Sequence, residues 1–164
     1  MSTFKGFTLV EVLLVLTILG LTFSVLLTVF TRSVSFTASA VERSERLRRE
    51  LTLFWELQRA LAGAKELLLR DGRELFLITS GGERYRGVVK RAFIYRNGAL
   101  YGYEFPYPAG SLDYYEEDEL VFIGRFEQFE LRAVDAKGSH ASYEGLPELV
   151  ELKLNGKVFT FKIR

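Results

Sequence analysis

The chain has 164 residues, and its 22 basic and 21 acidic side chains leave a formal net charge of +1. That balance creates no field that would gather nucleic acid. Cys is absent, which excludes disulfides, thiolate-bound metal and a cysteine nucleophile, and the single His, His140, leaves no imidazole cluster. The length suits one modest globular unit with an appendage.

The apolar residues concentrate at the N-terminus. From Phe7 to Phe30 the chain reads FTLVEVLLVLTILGLTFSVLLTVF, with one formal charge, Glu11. As a helix this run is roughly 36 Å long, enough for a bilayer core of about 30 Å. A lipid-exposed span must satisfy its own backbone, so a helix is the expected form. Gly20, Thr17, Thr22, Ser24 and Thr28 fit such a helix and let another approach it closely. A secretory signal peptide would have a shorter apolar core closed by a small-x-small cleavage site, and no such site precedes Arg32. Hydropathy alone leaves an ordinary signal anchor, carrying a sensor or receptor module, as an alternative.

Glu11 separates these readings. An acidic side chain in an apolar span costs about 3 kcal/mol near the centre and less near an end, and it needs a partner. Lys5 lies upstream on a different helix face. A cut before Phe7 would free an α-amine about one turn from Glu11, on the same helix face or within reach of an adjacent subunit. The positive end of the helix dipole also favours a carboxylate there.

The string Lys5-Gly6-Phe7-Thr8-Leu9-Val10-Glu11 resembles the leader junction of type IV pilins and type II secretion pseudopilins. The resemblance implies that a prepilin peptidase cuts after Gly6 and methylates the new N-terminal Phe7. It also implies that Glu11 pairs with the terminal amine of a neighbouring subunit during assembly. By the same resemblance the leader is cytoplasmic, the protein is a single-pass inner-membrane protein, and the remainder is periplasmic. The positive charges Arg32, Arg43, Arg46, Arg48 and Arg49 lie beyond the span, so charge does not supply that orientation.

Beyond the span, Val34, Ala38, Val41, Leu47, Leu51, Phe54, Leu57 and Leu61 recur at helical spacing with charges between them. No Pro precedes Pro106, and Gly63 marks a stop. From Leu47 onward this face is expected to rest on the chain's own sheet, with Phe54 and Trp55 in the core. Val34, Ala38 and Val41 are candidates for contact with neighbouring subunits. The charges from Glu42 to Glu50 read as a solvated, mutually paired face.

After Glu66 the texture turns to alternation and turn signals. Asp71-Gly72 separates two runs as a hairpin, although residues 66–69 also fit an extension of the helix. Strands are expected at 88–96, 100–105, 120–123, 126–134, 149–154 and 157–163. Asn97-Gly98 and Asn155-Gly156 fit hairpin turns. The predicted fold class is α+β and pilin-like: a long N-terminal helix, half transmembrane and half amphipathic, packed on an antiparallel β-sheet. The expected organisation is a leader at 1–6, a transmembrane segment at 7–30, a stalk helix at 31–64 and a β-rich periplasmic domain at 65–164. The basic strand, NG turn and Leu-Tyr within Val88–Tyr101, and the run Gly145–Leu152 before the last hairpin, resemble the J-type minor pseudopilin of type II secretion. That resemblance implies a subunit at the pseudopilus tip, with other minor and major pseudopilins and the inner-membrane secretion platform as partners. A minor type IV pilin of a pilus or competence system is the nearest alternative.

No G-x-G-x-x-G, P-loop, H-E-x-x-H or G-x-S-x-G string occurs. Asp113, Glu116, Glu117, Asp118 and Glu119 form an acidic stretch without EF-hand spacing, read as a solvated loop ahead of a Ca²⁺ site. Tyr101, Tyr103, Tyr107, Tyr114 and Tyr115 gather near it and are expected to pack in the core and at sheet edges, with a partner surface as the alternative. His140 is expected in an exposed turn. The expectation is a subunit with no enzymatic activity, no catalytic residue, no cofactor, no bound metal and no nucleic-acid partner.

Overall fold

The computed structural model describes residues 8–163. Contacts divide the chain into two compact units, residues 1–47 and 48–164. Helix α1 runs Leu9–Ala62. Ten strands follow: β1 Ala64–Arg70, β2 Glu74–Thr79, β3 Val89–Arg96, β4 Ala99–Phe105, β5 Val121–Arg125, β6 Phe129–Asp135, β7 Gly138–His140, β8 Tyr143–Glu144, β9 Leu149–Leu154 and β10 Lys157–Lys162.

Within the first unit, Leu9–Val34 is a stretch of 26 residues long and apolar enough to cross a membrane. It amounts to roughly 39 Å of helix. Its polar side chains are satisfied on the spot. The hydroxyls of Thr17, Thr22 and Thr28 donate to the carbonyls of Leu13, Ile18 and Ser24 at 2.8, 2.8 and 2.9 Å. Each Thr thus presents a methyl group outward with its donor already committed, which suits apolar surroundings. Nothing lies within 4 Å of a Cβ built on Gly20.

The second unit holds two antiparallel sheets. One has the strand order β5-β4-β3-β2-β1-β8 and the other β10-β9-β6-β7. Hairpins fix the register. Asn97 and Gly98 take φ of 51° and 77°, and Asn155 and Gly156 take 48° and 80°. Positive φ at both central positions is the geometry that Asn-Gly favours, and it matches the twist of the flanking strands. Residues 66–69 fall in β1, so the helical alternative for that run is set aside.

The last turns of α1 bury Leu53, Leu57, Ala60 and Leu61 against the inner faces of both sheets, including Leu67, Leu77, Phe93, Leu131 and Leu152. Gly63 then lets the chain turn directly into β1. A Cβ there would fall 2.7 Å from Ser80 Oγ and 2.8 Å from the Gly81 nitrogen. The outer face of the larger sheet is covered too: Phe76, Ala92, Ile94 and Tyr103 pack against Leu112, Tyr115 and Leu120.

Two expectations for the stalk are corrected. Trp55 is 60% exposed and Leu51 is 55% exposed, whereas Leu53 is fully buried. Successive helical residues turn by about 100°, so Phe54 meets Phe159 and Phe161 at ring distances of 5.6 and 5.2 Å. Trp55 then points past them, edge-on to Phe54 at 5.6 Å. Glu50 does not belong to a solvated charged face. It is buried, and its carboxylate accepts from Asn155 Nδ2 at 2.9 Å and Lys157 Nζ at 2.7 Å. The last hairpin turn is thereby fastened to α1.

Candidate functional site

Glu11 sits in the first turn of α1. Its carboxylate accepts from the Thr8 backbone N–H at 2.9 Å and from the Thr8 hydroxyl at 3.0 Å. The same hydroxyl lies 3.3 Å from the Glu11 N–H. Thr8 and Glu11 form a capping box, in which an N-cap hydroxyl and a carboxylate three residues on satisfy each other's backbone donors. A side chain that is expensive in an apolar span is thus supplied with donors by the end of its own helix, where the dipole also favours it. Thr8 was missed in the sequence analysis, although Thr-x-x-Glu before an apolar run is the signature of this cap. The other two predicted residues of this region, Gly6 and Phe7, lie outside the described residues.

The acidic stretch is dispersed onto separate partners. Asp113 pairs with Arg70 at 2.5 Å and accepts from the Ser111 hydroxyl. Those donors, the Ser111 hydroxyl first, hold its carboxyl below the usual aspartate range. Glu117 pairs with Arg96 at 2.9 Å. Lys90 Nζ donates to the Ser111 carbonyl at 2.6 Å. No group of three or more His, Cys, Asp or Glu among the described residues is arranged to hold a metal ion. Tyr115 stacks on Phe76 at 6.1 Å and Tyr103 is buried, so these rings belong to the packing of the sheet, while Tyr107 and Tyr114 are exposed. His140 lies on β7 with Nε2 3.2 Å from Asp135 Oδ1, and its ring is 5.8 Å from that of Tyr143.

A charged cluster that sequence reasoning missed sits between α1 and the larger sheet. The Arg91 side chain is 5% exposed, with its guanidinium 3.1 Å from Glu56, 3.0 Å from Glu83 and 3.9 Å from Glu104. Glu104 Oε1 also accepts from the successive backbone N–H groups of Glu83, Arg84 and Tyr85, at 3.1, 2.9 and 2.9 Å. Three consecutive amides cradle one carboxylate oxygen, a backbone anion nest filled from within the chain. Burial, and then the nearby Glu83 charge, push the Glu56 carboxyl up, with Arg91 opposing them. The Lys90-Arg91 pair inside an otherwise apolar strand was the available signal.

Comparison with known proteins adds two findings. Residues 1–27 match the family model for the prokaryotic N-terminal methylation motif. The chain is 57% identical over 163 residues to a protein of Aquifex aeolicus (strain VF5) described as an uncharacterized protein, covering 99% of this chain and 94% of that one. No solved structure gives a significant match.

Proposed function

The chain belongs to the same family as that Aquifex aeolicus protein and carries the N-terminal motif of the type IV pilin-like class, and from this premise we propose that it is a minor pseudopilin of type II protein secretion. Its role is structural and not enzymatic. A prepilin peptidase cuts between Gly6 and Phe7 and methylates Phe7. The apolar segment Leu9–Val34 anchors the subunit in the inner membrane, with the N-terminus cytoplasmic and the β-rich domain periplasmic. The subunit then joins other minor and major pseudopilins at the tip of a short fibre, driven from the inner-membrane secretion platform.

The observation that carries this reading is Glu11: one carboxylate inside the apolar helix, four positions after Phe7 and within the matched motif. Cleavage creates an amine at Phe7, and a cation beside a carboxylate in low dielectric is strongly attractive. In the separate subunit Glu11 is satisfied by Thr8. In the fibre the amine of an adjacent subunit replaces or joins those donors.

N-terminal sequencing and mass analysis of the mature protein test the reading, with N-methylated Phe7 as the expected first residue. A mature chain that retains Met1 would overturn the assignment to the class. Deleting the gene is expected to block export of folded proteins. Loss of surface pili or DNA uptake, with export intact, would move the protein to a pilus or competence system.

A further inference from the structure

The N-terminal chemistry leaves unused a cleft between α1 and the β4–β5 edge, lying wholly within residues 48–164. It encloses about 430 Å³, within the size range of binding sites. Its floor is apolar, made by Gly102, Val121 and Ile123. A Cβ on Gly102 would come within 3.0 Å of Ile123 Cδ1, so glycine lets the Ile123 side chain lie flat across β4.

The carboxylates in the cleft are already engaged. Glu56 and Glu83 bond to Arg91, and Glu104 is held by three backbone amides. Arg48, Arg49 and Arg84 also line it, are exposed, and form no ion pair among the described residues. Four arginines against three carboxylates leave the lining with an excess of positive charge. Each guanidinium offers five N–H donors in a fork suited to a carboxylate.

The backbone points to an extended ligand. β5 ends the six-stranded sheet, so one side of its main chain has no strand beside it. Edge strands are ordinarily guarded by charged side chains, above all Lys, by Pro, by bulges or by extreme shortness. At the edges of the smaller sheet, β10 carries Lys157 and Lys162 and β7 has three residues, and β8 at the far end of the larger one has two. β5 has neither Lys nor Pro; its guards, a bulge at Ile123 and the charge of Arg125, come late in the strand, and Val121 and Phe122 ahead of them are 43% and 56% exposed.

We propose that the β5 edge and its arginine-lined cleft are a docking site for an extended, carboxylate-bearing segment of another protein subunit. The segment adds as a strand beside β5. Alternate side chains of a strand share one face, so an acidic residue at every second position meets Arg48, Arg49 and Arg84. The site stands apart from the processing at Gly6 and Phe7.

The test uses the full-length protein in detergent with two fluorescein-labelled octapeptides, one alternating Thr and Glu, the other Thr and Lys. Anisotropy is expected to show binding of the acidic peptide alone, weakened by about tenfold or more in Arg48→Glu/Arg84→Glu. Arg48→Ala/Arg84→Ala serves if the reversed variant melts early. Hydrogen exchange is expected to slow at β5 amides when the acidic peptide is bound. Equal binding of both peptides, unchanged binding by the arginine variants, or no protection of β5 would overturn the proposal. Self-association through β5 that the acidic peptide does not displace would overturn it as well, by assigning the edge to a second copy.

Discussion

Thr8 and Glu11 satisfy each other at the start of α1, with the Glu11 carboxylate 2.9 Å from the Thr8 nitrogen and 3.0 Å from its hydroxyl. The pair gives Glu11 two requirements that mutation can separate: donors within its own chain, and a cation from a neighbour. We expect Glu11→Ala to be processed at Phe7 as efficiently as wild type yet to be nearly absent from fibres, measured by mass analysis of sheared material. Thr8→Ala removes only the hydroxyl, since the backbone N–H remains, and should fall between the two. Thr8→Ser, which restores the donor, should return incorporation to near the wild-type level. Wild-type incorporation of Glu11→Ala would sink the pairing idea, whereas a normal Thr8→Ala would sink only the role of the cap.

Arg91 is the shared counter-charge of carboxylates from three separate segments, Glu56 on α1, Glu83 in the β2–β3 loop and, at 3.9 Å, Glu104 on β4. Removing one partner of a buried ion pair leaves uncompensated charge behind, typically costing about 3–5 kcal/mol. Arg91→Ala is expected to lose stability on that scale in thermal or denaturant unfolding of the full-length protein. Arg91→Lys should recover only part of it, because an ammonium cannot span several carboxylates as a planar fork does. A loss in Arg91→Ala below about 1 kcal/mol, the range of surface pairs, would show that the cluster is solvated.

Acid should loosen the segment covering the outer face of the larger sheet. Asp113 is held below the usual value of about 3.9 by the Ser111 hydroxyl and Arg70. A carboxyl with a depressed folded-state pKa binds fewer protons folded than unfolded, so its contribution is present above about pH 4. That contribution fades as pH falls through the lower, folded value. The thermal midpoint of the wild type should therefore drop below about pH 4 more steeply than that of Asp113→Asn, which is already without the charge. Parallel profiles for the two proteins would remove Asp113 from the explanation of acid sensitivity.

The turns were the most legible part of the fold, because few residues other than Gly and Asn accept the backbone that Asn97-Gly98 and Asn155-Gly156 adopt. Residues 66–69 were ambiguous for a physical reason. The larger sheet is covered on both faces, so Leu67 and Leu69 join one cluster while Leu68 packs on the other, and alternation disappears. β7 has three residues, too few for a pattern, and folds back on β6, whereas the two residues of β8 are set by distant β1, with the Gly145 N–H bonded to the Leu67 carbonyl at 2.9 Å. At the N-terminus the lone carboxylate was legible because its surroundings are apolar in sequence. The Arg91 cluster was not, since its partners Glu56, Glu83 and Glu104 meet only after folding.

The stalk offers the sharpest quantitative contrast, because Leu53 and Trp55 are two positions apart and meet opposite surroundings. Leu53 is fully buried in the main cluster, whereas Trp55 is 60% exposed and meets the Phe54 ring edge-on. Truncating a buried Leu costs about 2–5 kcal/mol, according to how far the site collapses. Substitutions on the surface usually fall within about 0.5 kcal/mol. Leu53→Ala should therefore unfold the full-length protein early in a denaturant titration, while Trp55→Ala leaves the midpoint nearly unmoved, although the ring is by far the larger group lost. If Trp55→Ala proved as damaging as Leu53→Ala in the isolated subunit, α1 would not face the sheets as described, and the placement of Glu50 against Lys157 would fall with it.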